Sequence, residues 1–305
     1  MRAVLFPGQG SQYVGMVSDF YKKFDLVKKI FETVDKTLGF SLSSIILNGP
    51  ETKLKLTEHT QPAIMATGVS IFNVLKNHYH LNLNDTKFFA GHSLGEYTAL
   101  VCSGSLTLES ATYLLHERGK SMQEAVAPGK GAMIAVLGMS IDEVQKEINL
   151  LPKNQICEIA NDNSNTQVVV SGEKKIIETL NENLKKKKKK GILLPVSAPF
   201  HCSLMKKAAE SMKDKINNTN FLKPKPSIIS NVTAKEETDI NKIKPLLVDQ
   251  ITSRVRWRES VDYMIKQGVT EFLEIGPGKV LSSLVKKMNK NVKISNIDSM
   301  EDINK

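Results

Sequence analysis

Phe88-Phe89-Ala90-Gly91-His92-Ser93-Leu94-Gly95 reads as a short apolar strand running into a serine between two glycines, with a helix through Ala99, Leu100 and Val101 beyond it. The match is to GxSxG in the context that gives the pattern meaning, a strand before and a helix after. Two glycines let the chain turn sharply enough to push a serine hydroxyl out at the end of a sheet. The backbone N–H of Leu94, at the head of the helix, can then face a developing oxyanion. The pattern alone is weak, and a plain glycine-rich turn is the competing reading.

The rest of the chain supports an α/β fold around this turn. Arg2–Phe6 is a short apolar strand ending at Pro7-Gly-Gln-Gly10, and helical spacing follows at Phe24, Val27, Ile30, Phe31 and Val34. A helix over Ala63–Leu75 is entered through Thr60-Gln61-Pro62, with proline in the first turn, where its missing N–H does no harm. Thr107 reads as an N-cap for a helix running to about Ala125. The middle of the chain predicts strand 131–138, helix 141–150, strands 157–160 and 167–171, helix 173–188 and strand 192–196. This βαββαβ order is that of a ferredoxin-like unit. Strand–helix alternation resumes at Ile228–Ile229 and Phe272–Glu274, the latter followed by a helix through Leu281, Leu284 and Val285. The predicted architecture is an α/β-hydrolase-like, doubly wound domain with a mainly parallel sheet, residues 1–127 and 198–305, carrying an inserted ferredoxin-like subdomain at 128–197, bracketed by Pro128–Gly131 and Ser197–Pro199.

Composition bounds the function. The 305 residues are 41% hydrophobic and 24% charged, which excludes a disordered chain. No run approaches the ~18 apolar residues of a membrane span, and Ala3–Phe6 is too short for a secretory signal, so a soluble cytoplasmic protein is expected. Cys102, Cys157 and Cys202 form no CxxC, which argues against a disulfide scaffold or a cysteine zinc site. The net charge is +10, of which six come from Lys185–Lys190. That run reads as a solvated helix end, with a basic patch for an acidic protein as the functional alternative. Without interleaved aromatics or arginines it does not suggest nucleic-acid binding.

A serine needs a base. Among six histidines, His92 lies inside the turn, His59, His78 and His80 lie in polar stretches, and His116 falls on a polar helix face. His201 stands apart: it follows Val196-Ser-Ala-Pro-Phe200, where the chain leaves the inserted unit. General base and structural helix cap are its two readings. Cys202 reads as a small buried residue. Arg118 is in register with Leu108, Ala111, Leu115, Met122 and Ala125, the inward face of its helix. A buried guanidinium requires a partner, either an internal carboxylate or an anionic substrate. Gly276-Pro-Gly-Lys279 lacks the Walker spacing, and Asn161, Asn163 and Asn165 read as turn formers.

Taken together, Phe6-Pro-Gly-Gln-Gly-Ser-Gln12, Thr60-Gln-Pro62, Gly91-His-Ser-Leu-Gly-Glu-Tyr97, Arg118-Gly119, Gln123-Glu-Ala125, Pro199-Phe-His201 and Glu274-Ile-Gly-Pro-Gly278 resemble, in order, the malonyl-CoA:acyl carrier protein transacylases of the stand-alone bacterial type. The likeness spans about Met1 to Leu284; the lysine run and the tail after Lys290 match poorly. It implies malonyl transfer from malonyl-CoA to acyl carrier protein in fatty-acid synthesis, by a ping-pong route through malonyl-Ser93, with His201 alternating as base and acid. It further implies an oxyanion site at the N–H groups of Gln9 and Leu94, a His201-orienting backbone carbonyl at Gln250, and Arg118 on the malonyl carboxylate. No metal or cofactor is implied beyond the carrier's phosphopantetheine, and no nucleic acid or membrane partner. Phe200, before the histidine, is the bulky type that goes with malonyl rather than methylmalonyl use, and departs from the serine common in some stand-alone members. The rivals are a serine hydrolase, for which Asp142 and Asp162 lie between serine and histidine but within the inserted unit and so are poorly placed as triad acid, a basic binding protein, and a transferase for another acyl-CoA.

Overall fold

The computed structural model describes residues 1–196 and 198–304; Ser197, part of the expected exit bracket, and Lys305 lie outside the described residues. Ten strands form: β1 Arg2–Phe6, β2 Thr86–Gly91, β3 Gly131–Leu137, β4 Cys157–Ser164, β5 Gln167–Glu173, β6 Lys190–Leu193, β7 Ser227–Ile229, β8 Glu236–Glu237, β9 Glu271–Ile275 and β10 Lys293–Ile297. They make two sheets, ordered β10-β9-β1-β2-β7-β8 and β4-β5-β3-β6.

The six-stranded sheet is parallel except for β8, which pairs antiparallel with β7. Alternate side chains of its central strands enter two different cores, because successive residues of a strand point to opposite faces. Val4, Phe6, Phe89 and Leu273 join one cluster, while Ala3, Leu5, Phe88 and Phe272 join the other. Both faces are covered, which is the doubly wound arrangement read from the sequence.

The four-stranded sheet is antiparallel throughout, built from residues 131–193 in βαββαβ order. Ile134, Val136, Val168 and Val170 face the helices Ile141–Asn149 and Lys174–Lys186. Met133, Ala135, Ala160 and Val169 point the other way and merge with the large core. The small sheet thus packs onto the large core, and Met133, Asn161, Leu194 and Val196 of its segment line a cavity shared with the large unit.

Several boundaries differ from the sequence reading. The helix expected from Ala63 begins at Thr57 and runs to His78, so Pro62 sits inside it. Proline has no N–H for the carbonyl of Glu58 four residues earlier; His116 Nδ1 meets that oxygen at 3.1 Å instead. His116 is therefore half-buried and bonded rather than on a free polar face. The strand expected at 192–196 is β6, two residues earlier, with Lys190 in it. The strand expected at 157–160 continues through Ser164, so Asn161 and Asn163 are buried strand residues, not turn formers; only Asn165 lies in the turn. Tertiary pairing overrides the poor strand propensity here: Asp162 N donates to Val255 O and Val255 N to Ala160 O. The tail after Lys290 contributes β10, an edge strand parallel to β9.

Candidate active site

Ser93 occupies the tip of the turn between β2 and the helix Gly95–Cys102, with φ at 54°. A non-glycine residue in the left-handed region costs about 1–3 kcal/mol and persists only where its surroundings enforce it. Asn231, just beyond β7, enforces it: Oδ1 accepts from Ser93 N at 2.7 Å, and Nδ2 donates to Gly91 O at 2.7 Å. The flanking glycines allow the close approach. A Cβ on Gly91 would lie 1.9 Å from the Gly95 carbonyl carbon, and one on Gly95 would lie 2.3 Å from Phe6 O. Leu94 is the N-cap of the helix, so its N–H stands beside Ser93 at the positive end of the helix.

The Ser93 hydroxyl donates to His201 Nε2 at 2.8 Å, and His201 Nδ1–H donates to the Gln250 carbonyl at 2.8 Å. The second bond fixes the tautomer, leaving the Nε2 lone pair for the serine proton. Burial, aided by the nearby Arg118 cation, pulls the imidazole pKa down to about 3, so the ring is neutral at physiological pH. A backbone oxygen stands where a hydrolase triad has its acid. Asp162, one expected rival for that role, is engaged by Arg258 Nη2 at 2.8 Å and Nε at 3.1 Å. Asp142 lies in the first turn of a small-sheet helix. Cys202 is buried, its Sγ donates to Pro199 O, and burial pushes the thiol up to about 11, which makes it a poor nucleophile.

Arg118 is 1% exposed, as its helical register required. Its hydrogen bonds go to neutral oxygens: Nη1 to Gln61 Oε1 at 2.7 Å, Nη2 to Gln250 Oε1 at 2.9 Å, and Nη2 to Ser93 Oγ at 3.1 Å. Nε has no partner among the described residues, and the Tyr97 ring lies 5.8 Å away. The internal-carboxylate alternative is thus not met by a direct ion pair; Glu96 acts on Arg118 only through space. A cation 3.1 Å from the Ser93 oxygen, held by amides, is placed to hold an anionic group close to that hydroxyl.

Gln9, Ser93, Arg118, Phe200 and His201 share a cavity of about 100 Å³ with Met133, Leu194 and Val196 of the small-sheet segment. Among the described residues no cluster of three His, Cys, Asp or Glu side chains could hold a metal ion. Sequence reasoning missed four residues. Asn231 and Gln61 orient Ser93 and Arg118; Asn163 Oδ1 meets His92 Nε2 at 2.9 Å; Glu96 bonds Gln250. The position of Asn231 at the carboxyl end of a parallel strand was the available signal. Gln61 and Glu96 stood inside motifs already quoted, without a role.

A serine in the left-handed region at a strand–helix turn, a neutral imidazole held by a carbonyl, and a buried arginine stand together in the arrangement of a candidate serine acyl-transfer centre. The comparisons agree. The acyl transferase domain family matches residues 4–303, beyond the limit at Leu284 expected from the motifs. The malonyl CoA-acyl carrier protein transacylase of Bacillus subtilis is 41% identical over 303 residues, 99% of this chain and 94% of its own length. The crystal structure of an acyl-carrier-protein-S-malonyltransferase from Bartonella henselae is 42% identical, with a TM-score of 0.96 over 99% of this chain and 97% of that one. A malonyl-transacylase in complex with its type II PKS acyl-carrier protein is 37% identical, with a TM-score of 0.95 over 99% and 97% of the two chains. The chain belongs to the malonyl-CoA:acyl carrier protein transacylase family.

Proposed function

We propose that this protein transfers the malonyl group of malonyl-CoA to the phosphopantetheine thiol of acyl carrier protein, for fatty-acid synthesis, through malonyl-Ser93. His201 Nε2 takes the Ser93 proton as Oγ attacks the thioester carbonyl. The oxyanion of the tetrahedral intermediate faces the N–H groups of Leu94 and Gln9, and its collapse expels the CoA thiolate, which takes the proton from His201. The carrier thiol then gives its proton to His201 and attacks the malonyl ester, and collapse of the second intermediate expels Ser93 Oγ, which takes that proton back from His201. Arg118 binds the malonyl carboxylate. That anion also offsets the guanidinium field that depresses the imidazole, so the base strengthens as substrate arrives. Phe200 crowds the position of a methyl branch on the acyl group. Residues 1–127 and 198–305 act as the catalytic unit, and 128–197 as the unit that closes the cleft.

The observation that carries this reading is Arg118 donating to the same Ser93 oxygen that bonds His201. A simple esterase has no use for a buried cation there. The test is malonyl-CoA with the protein alone: one malonyl group is expected on Ser93 by intact mass and peptide mapping, and none on S93A. Modification at another residue would remove the reading.

A further inference from the structure

Glu96, in the first turn of the helix after Ser93, is a fully buried carboxylate that the transfer steps do not use. Its Oε2 accepts from Gln250 Nε2 at 2.8 Å and from Asn231 N at 3.0 Å. Both partners hold reacting groups. Gln250 presents Oε1 to Arg118, its backbone carbonyl to His201, and Nε2 also to Ser93 O at 3.2 Å. Asn231 holds Ser93 N. An amide has one oxygen and one NH₂, so drawing Nε2 toward Glu96 and Ser93 O is what turns Oε1 toward the guanidinium.

We propose that Glu96 is a positioning residue of the transfer reaction, fixing Ser93, His201 and the Arg118 guanidinium relative to one another through Gln250 and Asn231. The proposal rests on Arg118 as the carboxylate-binding group. Bonds to a carboxylate are about twice as strong as bonds to a neutral oxygen, so protonation of Glu96 slackens the whole set. Burial pushes its pKa up to about 7, against the pull of Asn231, Gln250 and Arg118. Of the titratable groups around it, Tyr97 is pushed up to about 12 and His201 is pulled down to about 3, while burial lowers both His92 and Arg118 from their ordinary values.

The test measures malonyl loading against pH with the N-acetylcysteamine thioester of malonate, which carries no phosphate to titrate. In the wild type, kcat/KM is expected to fall on the acid side with a midpoint near 7. E96Q is isosteric with the protonated acid. Its profile is expected to be flat, roughly tenfold below wild type at alkaline pH, with the loss mainly in KM. E96D, which keeps the charge, should retain an acid limb. A purely structural role would instead lower activity without altering the profile. A flat wild-type profile, an E96Q enzyme that keeps the wild-type limb, or a folded E96Q equal to wild type at every pH overturns the proposal. If E96Q does not fold, the wild-type and E96D profiles decide. R118A is run alongside. Undiminished malonyl loading by R118A defeats the carboxylate-binding reading itself, whereas loss in R118A with an unchanged limb in E96Q defeats only the role of Glu96.

Discussion

At the scale of single residues, Arg118 and Ser93 form one unit, since the guanidinium bonds the Ser93 hydroxyl oxygen at 3.1 Å. Removing one partner of a desolvated charge pair costs about 2–5 kcal/mol. R118A is accordingly expected to lower kcat/KM for malonyl loading by roughly 30-fold to a few thousand-fold. Acetyl loading, which has no carboxylate to hold, should fall far less. Steady-state loading of both thioesters by mass spectrometry checks this, and equal losses would contradict it. Glu96 carries a second consequence, in stability. Its folded-state pKa of about 7 lies above the ordinary 4.5, so between those values the folded chain binds more protons than the unfolded one. The stabilisation is full at acid pH and is lost as pH rises through 7. Chemical denaturation should find the stability of E96Q relative to wild type increasing with pH across that window and level above it. At this scale the sequence was informative where side-chain chemistry and register coincide, as with Ser93, His201 and Arg118. It was silent on Gln61, Asn231 and Glu96, whose roles are made by contacts 57 to 154 residues away.

At the scale of elements, the turn at Ser93 depends on what cannot be added. With Gly91 Cβ placed 1.9 Å from the Gly95 carbonyl, G91A has no accommodation short of moving the turn. Overpacking of this kind costs about 1–3 kcal/mol or more. G91A should lower the melting temperature and abolish loading together, and a well-folded, active G91A would contradict the account of the turn. β4 shows why part of the fold was not legible. Asn-Asp-Asn-Ser, residues 161–164, has the composition of a turn, yet it is a strand because its backbone bridges to Val255 and the side chains of Asp162 and Asn163 meet Arg258 and His92. Propensity cannot anticipate such partners. The helix start at Thr57 was missed for the same reason, since the carbonyl freed by Pro62 is satisfied by a side chain from another helix.

At the scale of the molecule, the small sheet is tied to the large unit by Asp162 on β4 and Arg258 on the helix Trp257–Lys266. Asp162 is fully buried while Arg258 is partly exposed and also reaches Asp262. R258A leaves a carboxylate orphaned in the core, whereas D162N leaves a cation with another partner. R258A should therefore be the more destabilising, by about 1–3 kcal/mol in urea denaturation. The lysine run is exposed and closes a helix, as expected from sequence, but extends beyond it into the next strand. Lys185 and Lys186 close a helix, Lys187 pairs with Glu147 at 2.7 Å, and Lys190 begins the edge strand β6, whose continuation through Leu194 and Val196 lines the cavity. Replacing Lys185–Lys190 with glutamine should raise KM for carrier protein more than for malonyl-CoA. Equal effects on both would remove the run from docking.

The most direct measurement is a rapid-quench time course with malonyl-CoA and holo acyl carrier protein, following the intact mass of both proteins. Malonyl should appear first on this protein, at Ser93, and then pass to the carrier thiol. A malonylated carrier formed by S93A at the wild-type rate, or without prior loading of the wild-type protein, would contradict transfer through the serine.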